Sequence, residues 1–204
     1  MELAPGVLLA PGWLDLSQQQ TLLAQVRLAL VQAPLLTPRM PRSGAPLSVR
    51  MTNCGPLGWV TDAAQGYRYE STHPETGRPW PPIPDAALRA WREIGGYPRA
   101  PQACLVNWYG PNARMGLHQD RDEEDFEAPV VSLSLGDTAL FRFGGSRRSE
   151  PTSSFRLASG DVMALCGPAR LAFHGVDRIL PGSSTLLEEG GRFNLTLRRV
   201  TRAG

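Results

Sequence analysis

The chain has 204 residues, a length that suits one domain with an extension, and its 42% of hydrophobic residues can bury a core. The formal net charge of +2 does not by itself indicate a nucleic-acid partner. All 21 basic residues are arginines, so the sequence excludes chemistry that needs a lysine, such as Schiff-base or P-loop catalysis.

The cysteines, the first residues and the charge distribution bear on location and partners. Three widely spaced cysteines without a CxxC pair favour a reducing compartment. Residues 1–13 lack the basic region of a signal peptide, and no apolar run reaches the ~18 residues of a membrane span. We therefore expect a soluble, cytoplasmic protein without membrane contact, with a monomer as the default. Arginines concentrate in residues 27–50 and acids in residues 122–127, which fits a solvated surface or a polyanion-binding face.

Two helices and a flap are predicted in the first half of the chain. Ser17 to Gln32 has a capping-box pattern and one apolar face, so it predicts a helix with Ser17 at its cap. The proline- and arginine-rich residues 33–50 predict a loop or a sheet edge. Aromatic residues among glycines predict a flexible flap over Met51 to Tyr69, and Asp85 is the predicted cap of a second helix that ends at Gly95.

Short β-type runs follow one another after residue 96. The predicted strands are Cys104–Tyr109, Val130–Leu135, Ala139–Phe143, Phe155–Leu157, Val162–Cys166, Leu171–His174 and Phe193–Val200. Many short strands without intervening helices predict an antiparallel sandwich or jelly roll. We therefore divide the chain into residues 1–96, which hold the helices and flap, and a β-core at residues 97–204.

The sequence contains three histidines, and two of them form a candidate metal site. His73 lies in a polar Thr-His-Pro-Glu turn and is predicted at the surface. His118 and Asp120 are separated by one residue, so in an extended segment their side chains share a face and can chelate one cation. His174 follows an apolar run. Two imidazoles and a carboxylate are the facial triad of non-haem Fe(II), although a zinc hydrolase using the same ligands is an alternative.

Polar and apolar residues alternate along Arg192–Arg198, so one face of this predicted strand carries two guanidiniums. An arginine inside a barrel needs an anionic partner, and a guanidinium pairs bidentately with a carboxylate. A dicarboxylate co-substrate such as 2-oxoglutarate supplies that partner, with its keto-acid end on the iron. Asn107 and Tyr109 on an earlier strand can contact the same ligand.

Several motifs run through about three-quarters of the chain in a recognisable order. They are Met51–Trp59 (MTNCGPLGW), Gln65–Tyr69 (QGYRY), Asn107–Tyr109, His118–Glu123, Phe143–Gly145, Gly160–Val162, His174–Gly175 and Arg192–Arg198 (RFNLTLR). In these motifs the sequence resembles the AlkB family of Fe(II)/2-oxoglutarate-dependent nucleic-acid dealkylases, especially its bacterial DNA-repair members. The resemblance implies a mainly β fold with flanking helices. Its core is a double-stranded β-helix at 97–204, on which residues 1–96 pack as helices and a nucleotide-recognition lid.

The resemblance also implies a role for each matching residue. The implied iron ligands and catalytic residues are His118, Asp120 and His174. The implied 2-oxoglutarate contacts are Asn107, Tyr109, Arg192, Asn194 and Arg198. The implied substrate contacts are Trp59, Tyr67, Arg68, Tyr69, Asp122 and Arg148.

The implied activity is oxidative demethylation of N-alkylated bases in DNA, such as 1-methyladenine and 3-methylcytosine, with Fe(II), 2-oxoglutarate and O2. Decarboxylation of 2-oxoglutarate would be coupled to hydroxylation of the methyl group and release of formaldehyde. Such a base must be flipped out of its stack, and aromatic rings and a carboxylate suit its positive charge. Single-stranded DNA is the expected substrate. The alternatives are the same chemistry on RNA or tRNA, a protein or small-molecule hydroxylase, and a non-catalytic nucleic-acid-binding β-barrel.

Overall fold

The computed structural model describes residues 1–202, which form strands, two α-helices and short helical turns. The helices are α1 (Leu16–Gln32) and α2 (Asp85–Ala90), and α2 continues as a π-helical turn over Trp91–Gly95. The strands are β1 (Glu2–Ala4), β2 (Val7–Ala10), β3 (Val49–Cys54), β4 (Gly58–Asp62), β5 (Gly66–Glu70), β6 (Ala103–Tyr109), β7 (Met115–His118), β8 (Val130–Gly136), β9 (Thr138–Phe143), β10 (Ser153–Leu157), β11 (Val162–Leu165), β12 (His174–Leu180) and β13 (Arg192–Arg198). None of the helices in this part of the chain is long and apolar enough to cross a membrane.

Two antiparallel sheets form the core, and a separate hairpin lies beside them. The larger sheet has the strand order β1-β2-β11-β8-β13-β6-β3, and the smaller one has the order β10-β9-β12-β7. Apolar side chains from both sheets pack in one cluster, in which Leu105 and Met163 come from the larger sheet and Phe141 and Val176 from the smaller. This mainly β jelly-roll architecture confirms the predicted fold class.

The alternating pattern of β13 decides which residues point toward the interior. Phe193, Leu195 and Leu197 join the core cluster that contains the buried residues of α1 and Trp91. Both helical segments therefore cover the outer face of the larger sheet. The intervening polar residues of β13 point to the other face, between the two sheets, because successive side chains alternate along a strand.

The N-terminal segment contributes strands to the larger sheet. β2 pairs with β11, and β3 pairs with β6, so strands from before and after residue 96 share one sheet. The flap prediction was wrong for the start of Met51–Tyr69, since Met51 is buried in β3 as part of the core. The rest of that segment is the hairpin of β4 and β5. Its glycines include Gly66, whose positive φ of 72° suits the turn between the two strands.

Several predicted boundaries also differ from the structure, and three of them concern the helix caps and the strand that carries His174. The N-cap of α1 is Asp15, which forms a capping box with Gln18, so the cap predicted at Ser17 was wrong. Asp85 is the first residue of α2 rather than its cap. The strand predicted at Leu171–His174 begins at His174 instead, because Arg170 and Ala172 belong to turns that follow a short 3-10 helix.

Candidate active site

A cavity of about 590 Å³ opens between the two sheets and collects most of the residues singled out in the sequence. Its inner wall is the polar face of β13 together with β6 and β8, and its opposite wall is formed by β7, β9 and β12. The hairpin residues Trp59 and Tyr67 and the segment that follows His118 also line it. One space therefore joins the predicted metal and co-substrate residues with four of the six predicted substrate residues.

The predicted metal ligands meet in this cavity because β7 pairs with β12. In that pairing His118 stands directly opposite His174. One possible ligand atom from each of His118, Asp120 and His174 lies within 4.8 Å of the others. Both imidazole Nε2 atoms are 3.7 Å from an oxygen of Asp120. Pairing between two strands thus assembles residues that are far apart in the sequence.

Backbone carbonyls orient both imidazole rings. Nδ1 of His118 lies 3.0 Å from the carbonyl oxygen of Gly116, and Nδ1 of His174 lies 2.9 Å from that of Ala172. A proton on each Nδ1 satisfies the carbonyl and leaves the Nε2 lone pair free to bind a metal. The two Nε2 atoms are also the ones that face Asp120.

The charges of this cluster suit a cation. Burial alone would raise the pKa of Asp120, but Arg198 and the two imidazoles hold it well below its usual range. Burial and the neighbouring His118 lower the pKa of His174 to about 4. The buried Oδ2 of Asp120 has no hydrogen-bond partner within residues 1–202. An anionic carboxylate with a free oxygen and a neutral imidazole beside it form a donor set that fits Fe(II).

Two arginines lie at different depths along the inner wall of the cavity. Arg198 donates a hydrogen bond of 2.8 Å to Oδ1 of Asp120, so it lies at the metal end. Arg192 is 1% exposed and donates to Ser134 Oγ at 2.6 Å and to the carbonyl oxygens of Leu157 and Asp137. No salt bridge to Arg192 occurs in the described part of the chain, and burial lowers its pKa to about 10. Arg192 is therefore a buried cation available to a carboxylate ligand.

The other predicted co-substrate residues lie between these arginines. Asn194 stands opposite Asn107, and Arg192 opposite Tyr109, in the β13–β6 register. The buried Oδ1 of Asn107 has no partner among residues 1–202. Burial raises the pKa of Tyr109 to about 12, so its hydroxyl stays protonated at neutral pH. Both groups line the cavity.

Ser132 and Thr196 also line the cavity, although neither was among the site residues predicted from the sequence. Asn194 donates to Ser132 Oγ at 2.6 Å and accepts from Thr196 Oγ1 at 2.9 Å. These contacts fix the orientation of the Asn194 amide. The alternation of serines with apolar residues along β8 was the signal that could have found Ser132.

Aromatic rings and a carboxylate lie at the mouth of the cavity. The rings of Trp59 and Tyr67 stack with centroids 5.4 Å apart and an interplanar angle of 22°. Trp59 Nε1 donates to Asp122 Oδ2 at 2.8 Å, and Tyr67 is 52% exposed. Arg148 reaches the same cavity and donates to the carbonyl oxygen of Leu117 at 2.8 Å. The structure brings these four side chains together at the cavity mouth.

Two of the implied substrate residues lie elsewhere. Arg68 forms ion pairs of 2.7 Å with both Asp62 and Glu70, and it does not line the cavity. Its side chain lies on the opposite face of β5 from Tyr67 because side chains alternate along a strand. The hydroxyl of Tyr69 donates to the carboxylate of Glu123 beneath the hairpin.

His73 is buried, so its predicted surface position was wrong. Its Nε2 lies 2.9 Å from the carbonyl oxygen of Pro34, and Nδ1 accepts from the backbone amides of Glu75 and Thr76 at 3.2 Å. The ring also packs against Trp80. His73 is therefore a satisfied structural histidine, held by a contact 39 residues away along the chain.

Comparisons with known proteins agree with this site. A family model described as the 2OG-Fe(II) oxygenase superfamily matches residues 6–198. The chain is 57% identical over 203 residues to an alpha-ketoglutarate-dependent dioxygenase AlkB homolog of Caulobacter vibrioides, covering 100% of this chain and 91% of the relative. The solved structure of OsALKBH1 is similar with a TM-score of 0.80 and 33% identity, over 98% of this chain and 100% of that one.

Two further relatives carry a substrate class in their names. The DNA N(6)-methyladenine demethylase ALKBH1C of Arabidopsis thaliana is 32% identical over 225 residues, which covers 96% of this chain and 48% of that protein. The tRNA demethylase abh1 of Schizosaccharomyces pombe is 42% identical over 83 residues, covering 41% of this chain and 28% of that protein. Taken with the His-Asp-His cluster, these matches show that the chain is a member of the AlkB family of Fe(II)- and 2-oxoglutarate-dependent dioxygenases.

Proposed function

We propose that this dioxygenase removes methyl groups from N-alkylated bases in DNA, with 1-methyladenine and 3-methylcytosine as its substrates. The observation that carries the proposal is the single cavity, which joins the His-Asp-His cluster to stacked aromatic rings and a carboxylate at its mouth. The family consists of Fe(II)- and 2-oxoglutarate-dependent dioxygenases, which argues against the zinc-hydrolase alternative and the non-catalytic alternative.

The metal site is assigned to His118, Asp120 and His174, which would bind Fe(II) through the two Nε2 atoms and Oδ2 of the carboxylate. When bound, the iron supplies the oxidation of the N-methyl carbon at the expense of O2 and 2-oxoglutarate. The protein holds the ligands in place beforehand, because the carbonyls of Gly116 and Ala172 fix the rings and Arg198 fixes the carboxylate. Such preorganisation avoids the cost of ordering the side chains when the metal binds.

The co-substrate is assigned to the inner wall with its two carboxylates at different depths. Arg192 would bind the far carboxylate, since it is buried and its hydrogen-bond acceptors are carbonyl and hydroxyl oxygens. Arg198 would face the keto-acid end, because it already lies beside Asp120. Asn107, Tyr109 and Asn194 provide polar groups between the two ends.

The flipped base is assigned to the mouth of the cavity. Methylation at N1 of adenine or N3 of cytosine leaves a positively charged base, which favours aromatic faces and a carboxylate. Trp59 and Tyr67 provide the rings, and stacking on such rings is worth about 1–3 kcal/mol per base. Asp122 would provide the negative charge, and Arg148, which lines the same cavity, would be the basic residue near the nucleotide.

The deciding experiment uses a short single-stranded DNA that carries one 1-methyladenine. It is incubated in air with the protein, Fe(II), ascorbate and 2-oxoglutarate, and the mass of the oligonucleotide is then measured by mass spectrometry. Loss of one CH2 unit that requires 2-oxoglutarate supports the proposal. An RNA of the same sequence is run in parallel, because one relative is named as a tRNA demethylase. Demethylation of the RNA alone would overturn the DNA assignment and keep the chemistry.

The monomeric state and the cytoplasmic location also remain part of the proposal. Size-exclusion chromatography with light scattering tests the first, and cell fractionation tests the second.

A further inference from the structure

A buried cluster of polar and charged side chains lies between the hairpin and the metal ligands. It consists of Tyr69, Glu123, Arg170 and Arg198, and we call it the Glu123 cluster. The side chain of Glu123 is 1% exposed, and that of Arg170 is 3% exposed. Glu123 Oε2 lies 3.0 Å from Arg170 Nη2, and Oε1 lies 3.6 Å from Arg198 Nε. The Tyr69 hydroxyl donates to the same Oε1.

Both arginines of the cluster also hold Asp120. Arg170 Nη1 donates to the backbone carbonyl oxygen of Asp120 at 2.6 Å, and its Nε donates to that of Ala128 at 2.8 Å. Arg198 Nη2 donates to the Asp120 carboxylate at 2.8 Å. One arginine thus fixes the backbone of this residue and the other fixes its side chain. Glu123 accepts a hydrogen bond from Arg170 and lies within ion-pair distance of Arg198.

Tyr69 extends the cluster into the hairpin. It belongs to β5 and stands opposite Trp59 of β4 in the hairpin register. The aromatic rings at the cavity mouth therefore lie on the hairpin that Tyr69 attaches to Glu123. A shift of the hairpin would move these rings and break a contact to the carboxylate that forms ion pairs with the two arginines. Glu123 together with the neighbouring Asp120 supplies two carboxylates that balance the two guanidiniums of the cluster.

We propose that Glu123 is a positioning residue that couples the docking of the β4–β5 hairpin to the geometry of Asp120. Tyr69 is then the hairpin's attachment to Glu123, a role different from the base contact that the resemblance implies. The inference rests on the proposed function only in taking Asp120 as a metal ligand. Because coupling between two sites is reciprocal, metal binding stabilises the docked hairpin as much as docking strengthens metal binding.

The test measures hydrogen exchange of the hairpin amides in the whole chain, with and without Mn(II) as the probe metal and without nucleic acid. In the wild type, Mn(II) is expected to slow exchange in β4 and β5. Tyr69→Phe removes one hydroxyl and leaves the ring. Hydrogen exchange of the hairpin amides should become about tenfold faster, because one hydrogen bond to a charged group is lost. A tenfold change corresponds to about 1.4 kcal/mol. The protection by Mn(II) should disappear, and the affinity for Mn(II) should fall.

A matched control removes a similar hydrogen bond outside the cluster. The hydroxyl of Tyr97 donates to Asp125 at 2.9 Å, two residues beyond Glu123. Tyr97→Phe should keep both the Mn(II)-dependent protection of the hairpin and the affinity for Mn(II). Glu123→Gln removes the charge that both arginines face, so a loss of metal binding in this variant could come from impaired folding as well as from lost coupling. Tyr69→Phe is therefore the deciding variant.

The outcomes separate this inference from the proposed function. Mn(II) that binds to the wild type without slowing hairpin exchange overturns the coupling alone. The same holds if Tyr69→Phe keeps the full protection, or if Tyr97→Phe loses it as well. Failure of Mn(II) to bind at all overturns the metal-site assignment, and the coupling falls with it. Absence of demethylation with intact coupling would count against the proposed substrate only.

Discussion

The charge of Asp122 at the cavity mouth can be removed while its shape is kept. Its Oδ2 accepts a hydrogen bond from Trp59 Nε1 at 2.8 Å, and the amide oxygen of an asparagine can accept the same bond. Asp122→Asn therefore preserves the contact to the indole and deletes one negative charge. We expect it to impair demethylation of 3-methylcytosine, which is cationic, more than that of 3-methylthymine, which is neutral.

The size of the effect follows from the exposure of the carboxylate. Asp122 is exposed to solvent, so its interaction with a charged base is strongly screened. At an effective dielectric constant of about 40–80 and a separation of about 5 Å, two unit charges interact by about 1–2 kcal/mol. The value of kcat/KM for 3-methylcytosine should therefore fall about 5–30-fold, since each 1.36 kcal/mol is a factor of ten.

The assay is formaldehyde release from two single-stranded oligonucleotides that differ only in the methylated base. Glu124→Gln is the matched control, because it removes the same charge from the same acidic run but does not line the cavity. The control should leave both rates within about twofold of the wild type, as expected for a screened surface charge. Equal losses on the two bases after Asp122→Asn, or an equal loss in the control, would refute a local contact with the cationic base.

Three further predictions concern buried residues. Arg192→Met should raise the KM for 2-oxoglutarate by about a hundredfold or more, because it removes one partner of a buried ion pair. The affinity for Mn(II), measured by titration, should not change. A parallel loss of Mn(II) binding would contradict the assignment of this arginine to the far carboxylate. Because the pKa of His174 is lowered to about 4, the unfolded chain takes up a proton between about pH 6.5 and 4 that the folded metal-free protein does not. The stability that depends on neutral His174 is therefore fully present above pH 6.5. As the pH falls, the free energy of unfolding measured with urea should decrease by about 3 kcal/mol. A metal-free His174→Asn variant with the same pH dependence would show that His174 is not the cause. His73→Ala should lower the free energy of unfolding by about 3 kcal/mol, because it removes a buried ring and the hydrogen bonds that this ring makes with Pro34, Glu75 and Thr76. Metal affinity should persist, and its loss would indicate a role beyond structure.

Local periodicity was enough to predict several features of the site. The alternation along Arg192–Arg198 placed both guanidiniums on one face, and the structure has them on the cavity side of β13. The one-residue gap between His118 and Asp120 likewise placed both side chains on one side. The same alternation, applied to β5, separates Arg68 from Tyr67 and could have excluded Arg68 from the cavity.

Other errors came from local patterns that tertiary contacts override. The Gly-rich stretch after Met51 looked mobile, yet its first residues are held in the larger sheet by pairing with β6. The Thr-His-Pro-Glu turn looked exposed, yet His73 is buried against Pro34 and Trp80. A polar local sequence does not predict whether a side chain is exposed, because the residues that bury it can come from distant segments of the chain.

The sequence by itself determined the chemical types of the site residues, the strand-rich core and the sides of individual strands. These properties depend on side-chain composition and on the two-residue repeat of an extended backbone, which act over a few residues. The tertiary structure decided which faces meet. Strand pairing set His174 opposite His118, and long-range packing joined Glu123 to Arg170 and to Tyr69. Such contacts link segments tens of residues apart, so they follow from the topology of the sheets and not from any local pattern.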